Sequence, residues 1–470
     1  MNRDADRCGA SFLELGVEKG DRVVLFLNKS LFFVVAHLAL QKRGAIAVPL
    51  NPGFKTSEMD YLLKDADPKL VIGDPDKRGM VATILPRSRF LAVDTRKPYR
   101  EVDFLRSADT DAHTTAISPD DPGLIIYTSG TTGNPKGAVL THRNLVCDAR
   151  NVIRVWEISE ADVLCHALPL FHVHGLCFAL HTALLAGAGV VMLDRFVPEK
   201  VLAVLARRDP NMTCNLFMAV PAMYTKLMDA LEGENWVFDH IRLWTSGSAP
   251  LPVKDFERIT AEFGRQPVER EGMSETGMNF SNPLHGPRKP GSIGLPLPGL
   301  EVRIVDPVTF VDLPRCQIGE LWLKSPAITP GYWRKPQETS ETFVDGWFRT
   351  GDLGKVDADG YYYLTDRIKH IIITGGENVS AKEVETAINA VDGVMEASVV
   401  GIADEKWGEK VVAAVVMEPG HMPDPDEIRK ACKTHLHDWK CPKDIIFVDE
   451  IPRNTMGKVL KEAVKEIFLG

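Results

Sequence analysis

A short stretch rich in glycines and hydroxyls, YTSGTTGNPKG, occupies residues 127–137 of this 470-residue chain. Its glycines leave backbone N–H groups uncovered, its Ser and Thr side chains donate hydrogen bonds, and Lys136 adds one positive charge. These are the groups that hold a polyphosphate. Apolar residues at 123–127 and 137–140 flank the stretch and are typical of strands around an exposed turn. The pattern therefore predicts a phosphate-binding loop rather than a flexible linker.

This loop departs from the phosphate loop of kinases and GTPases, G-x-x-x-x-G-K-[ST]. Counted from Gly130, the position of the second glycine holds Pro135, and Gly137 replaces the Ser or Thr that follows the lysine. The hydroxyl that binds magnesium in such loops is therefore missing, and the sequence disfavours a kinase-like or GTPase-like protein.

Three further residues have the right chemistry for a nucleotide site. Glu275 lies beside Ser274 in a glycine-rich stretch, and a carboxylate next to a hydroxyl suits magnesium and a phosphate. Asp352 follows Gly351, where the chain can approach a ligand closely, and its two oxygens can accept from two ribose hydroxyls. Lys458 ends a P-R-N-T-M-G-K loop, where a cation can stabilise charge between a carboxylate and a phosphate. From the residues alone, a solvated glutamate, a turn aspartate and a surface lysine would be the better explanations.

Taken together, these motifs resemble those of adenylate-forming enzymes, the superfamily of acyl-CoA synthetases, luciferases and adenylation domains. The motifs are the loop at 127–137, L-P-L-F-H-V-H-G at 168–175, S-G-S-A-P at 246–250, G-M-S-E-T at 272–276, T-G-D at 350–352, D-R at 366–367 with G-G-E-N at 375–378, and P-R-N-T-M-G-K at 452–458. The resemblance covers the chain except for a segment that usually precedes Gly16, which we expect to be missing. It implies that a carboxylate attacks the α-phosphate of ATP to give an acyl-adenylate, and that CoA then displaces AMP.

The resemblance also assigns roles to individual residues. It implies that Lys458 and Glu275 are catalytic, with Glu275 as the ligand of Mg²⁺. Rotation at a hinge, Lys369, would then replace Lys458 by the CoA-binding residues Gly375 and Gly376. The implied ATP site comprises Thr128, Ser129, Gly130, Thr131, Thr132, Gly133, Lys136, Gly247, Ser248, Ala249, Pro250, Glu271, Gly272, Met273, Ser274, Asp352 and Arg367.

The position before Gly272 departs from the superfamily pattern. An aromatic residue usually stands there and stacks on adenine, whereas this chain has Glu271. The sequence therefore leaves open how the adenine is held.

A narrower resemblance concerns the acid. The segments at 166–175, 272–283 and 288–294 resemble malonyl-CoA synthetases. This implies that His174 lies at the acyl pocket and that Arg288 binds the distal carboxylate of malonate, although a loop arginine paired with a nearby acid is the alternative. We therefore expect a ligase for malonate or methylmalonate. The other interpretations are a short- or medium-chain fatty acyl-CoA synthetase and a non-catalytic nucleotide-binding relative.

Alternating helical and strand patterns must position these residues. In the N-terminal half, strand-like runs such as 22–27, 45–50 and 70–73 alternate with helix-like runs such as 31–44. Short β-type runs between about 290 and 365 indicate a barrel-like subdomain, and a unit of mixed helices and strands follows Arg367. The predicted fold is α/β. A large N-terminal domain, residues 1–368, has helices packed on β-sheets plus a β-barrel-like subdomain, and a small mobile α+β C-terminal domain spans residues 370–470.

Composition restricts the possible partners. A net charge of −9 argues against nucleic acid. The longest apolar stretch, residues 176–193, is better explained as a buried helix, a turn and a strand than as a membrane span. Eight scattered cysteines without C-x-x-C spacing favour a reducing cytoplasm. The expected partners are a carboxylic acid, ATP and CoA, and the sequence does not indicate an oligomeric state.

Overall fold

The computed structural model describes residues 1–86, 89–102, 115–128, 134–209, 212–231, 236–421, 424–453 and 459–469. The chain divides into two compact units. Unit 1 comprises Met1–Pro290, Pro296–Glu301 and Lys324–Gly346, and unit 2 comprises Gly291–Leu295, Val302–Leu323 and Trp347–Gly470. The domain boundary predicted at Lys369 is a different division of the chain and stays a prediction.

Strands and helices alternate along most of the described chain. The strands are β1 (Arg22–Phe26), β2 (Ile46–Pro49), β3 (Leu70–Gly73), β4 (Arg89–Ala92), β5 (Pro122–Thr128), β6 (Lys136–Thr141), β7 (Val163–His166), β8 (Gly189–Met192), β9 (Leu216–Ala219), β10 (Leu243–Ser246), β11 (Val268–Met273), β12 (Gly277–Ser281), β13 (Leu295–Pro296), β14 (Glu301–Val305), β15 (Gly319–Lys324), β16 (Gly331–Tyr332), β17 (Phe343–Val344), β18 (Trp347–Val356), β19 (Tyr362–Arg367), β20 (Ile371–Thr374), β21 (Glu377–Ser380), β22 (Val394–Asp404), β23 (Gly408–Met417) and β24 (Asp444–Phe447). The α-helices are α1 (Asn2–Glu14), α2 (Leu31–Arg43), α3 (Thr56–Ala66), α4 (Arg78–Ile84), α5 (His142–Trp156), α6 (Thr182–Ala186), α7 (Pro198–Ala206), α8 (Pro221–Asp229), α9 (Val253–Phe263), α10 (Pro336–Thr342), α11 (Ala381–Asn389), α12 (Pro425–His435) and α13 (Lys461–Leu469). A π-helix, His174–His181, precedes α6.

Unit 1 contains two mainly parallel sheets. The first has the order β16-β6-β5-β2-β1-β3-β4, in which β5, β6 and β16 form the antiparallel edge. The second includes the run β12-β11-β10-β9-β7-β8, with β12 antiparallel to β11. In the second sheet the carboxyl ends of β7, β9, β10 and β11 lie at one edge, because these strands are parallel. Ligands of open α/β sheets bind at such edges.

Local signals in the sequence explain where the main helices begin and end. The side chain of Ser30 accepts a hydrogen bond from the backbone of Phe33 at the start of α2, and Gly44 ends this helix in the left-handed region with φ +68°. Helix α2 carries apolar residues on all its sides, which is typical of a buried helix. At the start of α5, Thr141 and Asn144 form a reciprocal capping box. Helix α5 thereby begins directly after β6, the strand that carries Lys136.

Unit 2 is built on antiparallel pairs. Strands β14, β15, β18 and β19 are neighbours in that order, with β15–β18 and β18–β19 antiparallel. A second sheet has the order β21-β20-β23-β22, and β24 joins β23 in parallel. Helices α11 and α12 pack over this sheet through a buried apolar cluster, which includes Val384, Ile388, Val399, Val411, Val415 and Ile428.

The predicted α/β class, with a large N-terminal part and a smaller α+β C-terminal part, is confirmed. Segment 176–193 is a π-helix, a short helix and a strand, as the interrupted apolar stretch indicated. His174 is the first residue of the π-helix. Within the described part of the chain, no helix is long and apolar enough to cross a membrane.

Candidate functional site

The predicted phosphate loop is the tip of the β5–β6 hairpin. Thr128 and Lys136 are opposite each other at the ends of the two strands, and the Thr128 hydroxyl donates to the carbonyl of Lys136 at 3.3 Å. The Lys136 ammonium lies 5.2 Å from the centre of the Tyr332 ring, within the range of a cation–π contact. The predicted residues between the strands lie outside the described residues: Ser129, Gly130, Thr131, Thr132 and Gly133.

The loop after β10 brings a predicted nucleotide residue against the predicted acyl pocket. Ser248 has a φ of +70°, a left-handed conformation that costs about 1–3 kcal/mol for a residue with a side chain. Its hydroxyl lies 3.1 Å from Nδ1 of His174. Strained residues of this kind cluster at functional sites. Gly247 precedes Ser248, and Ala249 and Pro250 complete the loop.

Arg270, on β11, is a candidate functional residue that the sequence analysis did not name. Its side chain is buried, and Nε, Nη1 and Nη2 have no hydrogen-bond partner among the described residues. Its Cζ lies 5.1 Å from the centre of the Phe178 ring. Burial lowers the pKa of Arg270 to about 10, while the charges of Glu271 and Asp148 act in the opposite direction. The guanidinium therefore stays charged at neutral pH, and a buried charge without a partner is costly unless a ligand pairs with it.

Gly247 makes room for this guanidinium. A Cβ at position 247 would lie 2.6 Å from Nε of Arg270 and 2.8 Å from its carbonyl oxygen, so a larger residue cannot fit without displacing the arginine. A signal for Arg270 exists in the sequence, since a charged residue stands inside a strand two positions before G-M-S-E-T. The neighbouring glutamates, however, make the strand resemble a solvated one.

Arg270 lies against the Phe178 ring and within the electrostatic influence of the Glu271 and Asp148 carboxyl groups. A small cavity next to Phe178 and Asp148 is lined by Asn144, Cys177 and Ser274 together with aliphatic side chains, and Arg270 is not among its lining residues. Asp148 accepts a hydrogen bond from the backbone of Met278 at 2.8 Å, and burial raises the pKa of this carboxyl to about 7. Arg270 therefore has charged and aromatic neighbours but lacks a hydrogen-bond acceptor among the described residues.

His174 adds an uncharged polar group to the same region. Burial first, and then the charge of Arg270, hold the pKa of His174 well below its usual range, so the imidazole is neutral. Its Nε2 has no hydrogen-bond partner among the described residues. The side chain can therefore offer a hydrogen bond to a bound molecule without adding charge.

A buried chain of hydrogen bonds holds the start of the π-helix. Lys29 donates to Nδ1 of His166 at 2.8 Å, and Nε2 of His166 lies 2.8 Å from the carbonyl of Gly175. Burial lowers the pKa of Lys29 to about 7 and that of His166 to about 3. Because Gly175 directly follows His174, this chain fixes the histidine relative to β7.

The β11–β12 hairpin carries the G-M-S-E-T motif. Oε2 of Glu271 accepts from Nδ2 of Asn279 at 3.0 Å. Gly272, Met273 and Ser274 are partly buried, whereas Glu275 is buried and accepts from the Tyr332 hydroxyl through Oε1 at 3.1 Å. The structure thus places the carboxylate of Glu275 and the lysine of the phosphate loop around one tyrosine.

The residues near Glu275 fit a magnesium ion. A carboxylate and the hydroxyl of Ser274 are hard oxygen groups of the kind that Mg²⁺ prefers. The described residues contain no group of three or more His, Cys, Asp or Glu that could hold a metal ion. Oxygens of the nucleotide would therefore have to complete the coordination.

Arg288 has a different environment from Arg270. Its guanidinium donates to the carbonyls of Pro283 at 3.0 Å, Leu284 at 2.8 Å and Gln266. These bonds hold a turn against the approach to β11. The predicted contact of Arg288 with a distal carboxylate stays a prediction, but its donors are already engaged in this structure.

Unit 2 carries the predicted ribose-binding pair. Asp352 and Arg367 are opposite each other on β18 and β19 and form a two-point ion pair, with N–O distances of 2.6 and 3.2 Å. Asp352 is buried and Arg367 is partly buried, so the arginine holds the carboxylate in one orientation. Their roles toward ATP stay predictions.

The remaining predicted residues of unit 2 lie on short connections. Lys369 is the central residue of a 3-10 turn, Ile368–His370. Gly375 and Gly376 connect β20 and β21 with φ values of +60° and +85°, which glycine adopts readily. Lys458 lies outside the described residues.

Comparison with known proteins identifies the family. The model of the AMP-binding enzyme family matches residues 1–333, and that of the AMP-binding enzyme C-terminal domain matches residues 383–458. The chain belongs to the AMP-binding enzymes. Its relatives include the mitochondrial malonate–CoA ligase ACSF3 of Bos taurus, which is 35% identical over 95% of this chain and 82% of that protein. The sulfoacetate–CoA ligase of Cupriavidus necator is also 35% identical, over 97% of this chain and 89% of that protein.

A solved structure agrees with this assignment. ATP-bound MatB from Rhodopseudomonas palustris has a TM-score of 0.93 and 38% identity to this AMP-binding enzyme, covering 99% of this chain and 92% of that one. The predicted superfamily and the prediction of an AMP-forming acyl-CoA synthetase that uses a carboxylic acid, ATP and CoA are confirmed. The individual site residues and Mg²⁺ stay predictions.

Proposed function

We propose that this AMP-binding enzyme joins a small dicarboxylate to CoA, with malonate as the first substrate and methylmalonate as the next. The observation that carries the proposal is the buried, charged guanidinium of Arg270, which has no acceptor among the described residues. A fatty acid has a single carboxylate, which must react with ATP, so it would leave this charge unpaired. A dicarboxylate brings a second anion that removes the cost of the buried cation.

The acyl pocket orients the acid through charge. One carboxylate of malonate pairs with Arg270, whose planar guanidinium suits a two-point contact. The other carboxylate stays free to attack the α-phosphate of ATP. Phe178 covers one face of the guanidinium and keeps water from it, while the neutral His174 supplies a hydrogen bond through Nε2.

The nucleotide side of the mechanism uses the motif residues. Lys136 and the loop 129–133 would bind the phosphates, and Asp352 would accept from the ribose hydroxyls. Glu275 would hold Mg²⁺, which offsets the negative charge of the phosphates when bound. Lys458 would stabilise the charge that develops between carboxylate and phosphate, a role supported by the family resemblance.

The second half-reaction follows from the same resemblance. Thioester formation requires a rearrangement at Lys369 that brings Gly375 and Gly376 to the pantetheine arm of CoA. We also place the enzyme in the cytoplasm, a proposal supported by eight cysteines that are all free thiols.

A panel of acids tests the proposal. AMP release is measured with ATP and CoA for malonate, methylmalonate, sulfoacetate and butyrate at equal concentrations. We expect malonate to give the largest kcat/KM and butyrate the smallest. Sulfoacetate tests the pocket separately, because it also carries a distal anion and one relative bears its name. A kcat/KM for butyrate equal to that for malonate would reject the dicarboxylate, and no AMP release with any acid would favour a non-catalytic relative.

A further inference from the structure

Residues 329–332 connect the two sheets of unit 1 beside the predicted phosphate site. Thr329 is 2% exposed and donates its backbone N–H to the carbonyl of Glu275 at 2.7 Å. Its hydroxyl donates to the carbonyl of Val139 on β6. Glu275 belongs to the β11–β12 hairpin of the second sheet, whereas β6 belongs to the first. One buried threonine therefore ties the metal-binding candidate to the strand that carries the phosphate-loop lysine.

Tyr332 makes a second connection with its side chain. It pairs with Ala138 as part of β16, at the outer edge of β6. Its hydroxyl donates to Oε1 of Glu275 at 3.1 Å, and the ammonium of Lys136 lies 5.2 Å from the centre of its ring. The two ends of one side chain thus contact the two charged groups that the mechanism assigns to metal and phosphate.

The chemistry of the phenol suits this position. A phenol hydroxyl can donate a hydrogen bond while a carboxylate can only accept one, so Tyr332 is the donor in its contact with Glu275. A hydrogen bond to a carboxylate restricts its rotation without neutralising it. The ring face attracts the Lys136 ammonium without supplying a negative charge that would compete with a phosphate.

We propose that Tyr332 is a positioning residue that sets the Glu275 carboxylate for the metal ion and the Lys136 ammonium for the nucleotide phosphates. The proposal rests on the roles given to Glu275 and Lys136 in the proposed function. It goes beyond that function in assigning both orientations to one aromatic side chain.

Two substitutions separate the two contacts. Tyr332→Phe keeps the ring and removes the hydroxyl, whereas Tyr332→Leu removes both. Tyr99→Phe is the matched control, because Tyr99 also donates its hydroxyl to a carboxylate, that of Asp4, at 2.9 Å. Binding is measured without acid or CoA, so that no turnover occurs. Calorimetry of ATP binding in EDTA measures the contribution of the Lys136 contact. Mn²⁺ binding in the presence of ATP, measured by electron paramagnetic resonance, reports the contribution of the Glu275 contact.

The expected pattern is graded. Tyr332→Phe weakens Mn²⁺ binding about 10-fold or more, as for the loss of a hydrogen bond to a charged group, and leaves ATP binding in EDTA within about twofold. Tyr332→Leu also weakens ATP binding in EDTA by roughly two- to fivefold, as for the loss of a cation–π contact. Tyr99→Phe leaves both affinities unchanged.

Other patterns overturn the proposal. If Tyr332→Phe binds Mn²⁺ and ATP as the wild type does, or if both variants weaken both ligands equally, Tyr332 does not divide its contacts in this way. A loss of both affinities with a lowered unfolding temperature would make its role structural. Wild-type enzyme that binds ATP and Mn²⁺ but ligates no acid would reject the proposed function alone, because the binding differences between variants would still hold.

Discussion

Arg270 and Arg288 lie in the same unit and only 18 positions apart, yet their guanidinium groups differ in burial and in hydrogen-bond partners. Arg288 is partly buried and donates to three backbone carbonyls, so its guanidinium stabilises a turn. Arg270 is 2% exposed and has no acceptor among the described residues. A guanidinium that already has partners contributes to folding, whereas one held in a dry site without partners is available to a ligand at the expense of stability.

The largest effect is expected when Arg270 is replaced by methionine, which keeps an apolar stem and removes the charge. Arg270→Met should raise the activation free energy for malonate by about 2–5 kcal/mol. This corresponds to a loss in kcat/KM of roughly 30-fold to several thousand-fold. Activity on butyrate should be kept or raised, because butyrate has no distal charge. The unfolding temperature should stay equal or rise, since an unpaired buried charge is removed.

Arg288→Met serves as the counterpart. It should cost about 1–3 kcal/mol of stability, because three carbonyls lose their donor, with little change in the ratio of malonate to butyrate activity. AMP-release kinetics and urea unfolding of both variants provide the measurements. A selective loss of malonate activity in Arg288→Met, with equal losses on both acids in Arg270→Met, would exchange the two roles.

A second prediction displaces the guanidinium without removing it. In Gly247→Ala the new methyl would lie 2.6 Å from Nε of Arg270. Overpacking of this kind costs about 1–3 kcal/mol, and we expect that loss in kcat/KM for malonate but not for butyrate. Gly79→Ala is the control, because a Cβ there meets nothing within 4 Å. Equal losses on the two acids would show that the methyl disturbs β11 rather than the arginine.

A third prediction concerns the carboxylate next to Arg270. Glu271→Tyr should lower the KM for ATP, because stacking on a base contributes about 1–3 kcal/mol and a carboxylate near the triphosphate is removed. Glu271→Gln separates the two causes, since it removes the charge without adding a ring and keeps an acceptor for Asn279. An unchanged or raised KM in Glu271→Tyr would mean that the adenine is held in another way.

A fourth prediction concerns the acid stability that His172 contributes. Burial lowers the pKa of His172 to about 4, below the value of about 6.5 expected in the unfolded chain. The unfolded state then binds the proton more readily, so this contribution is complete above pH ~6.5 and declines as pH falls toward 4. His172→Phe should therefore reduce the pH dependence of the unfolding free energy by about 1.4 kcal/mol per pH unit in this range.

His285, which lies near Arg288 in the sequence, provides the control for this effect. It is exposed, so His285→Gln removes a histidine without removing a buried one. Urea unfolding at several pH values between about 4.5 and 7.5, roughly 0.5 pH unit apart, measures both variants. If the pH dependence of the unfolding free energy falls in His285→Gln but is unchanged in His172→Phe, His172 is not the source of the acid sensitivity.

Local sequence determined the secondary structure and the order of the motifs in this protein. The predicted helix-like run at 31–44 and strand at 70–73 coincide with α2 and β3 to within a residue, because capping residues, glycines and apolar periodicity act within a few residues. The phosphate-loop stems at Thr128 and Lys136 were found for the same reason. Features that depend on residues close together in the chain can be predicted from the sequence.

Which of the two arginines already has hydrogen-bond acceptors was decided by tertiary structure. Whether a guanidinium is paired depends on groups distant in the chain: Phe178 and Gly247 surround Arg270, while Gln266 and Pro283 accept from Arg288. The link from Glu275 through Tyr332 to Lys136 likewise crosses two sheets and has no counterpart in sequence spacing. Side chains become buried and paired only when the sheets pack. Whether a charged residue inside a strand has a hydrogen-bond partner is therefore decided in the folded molecule.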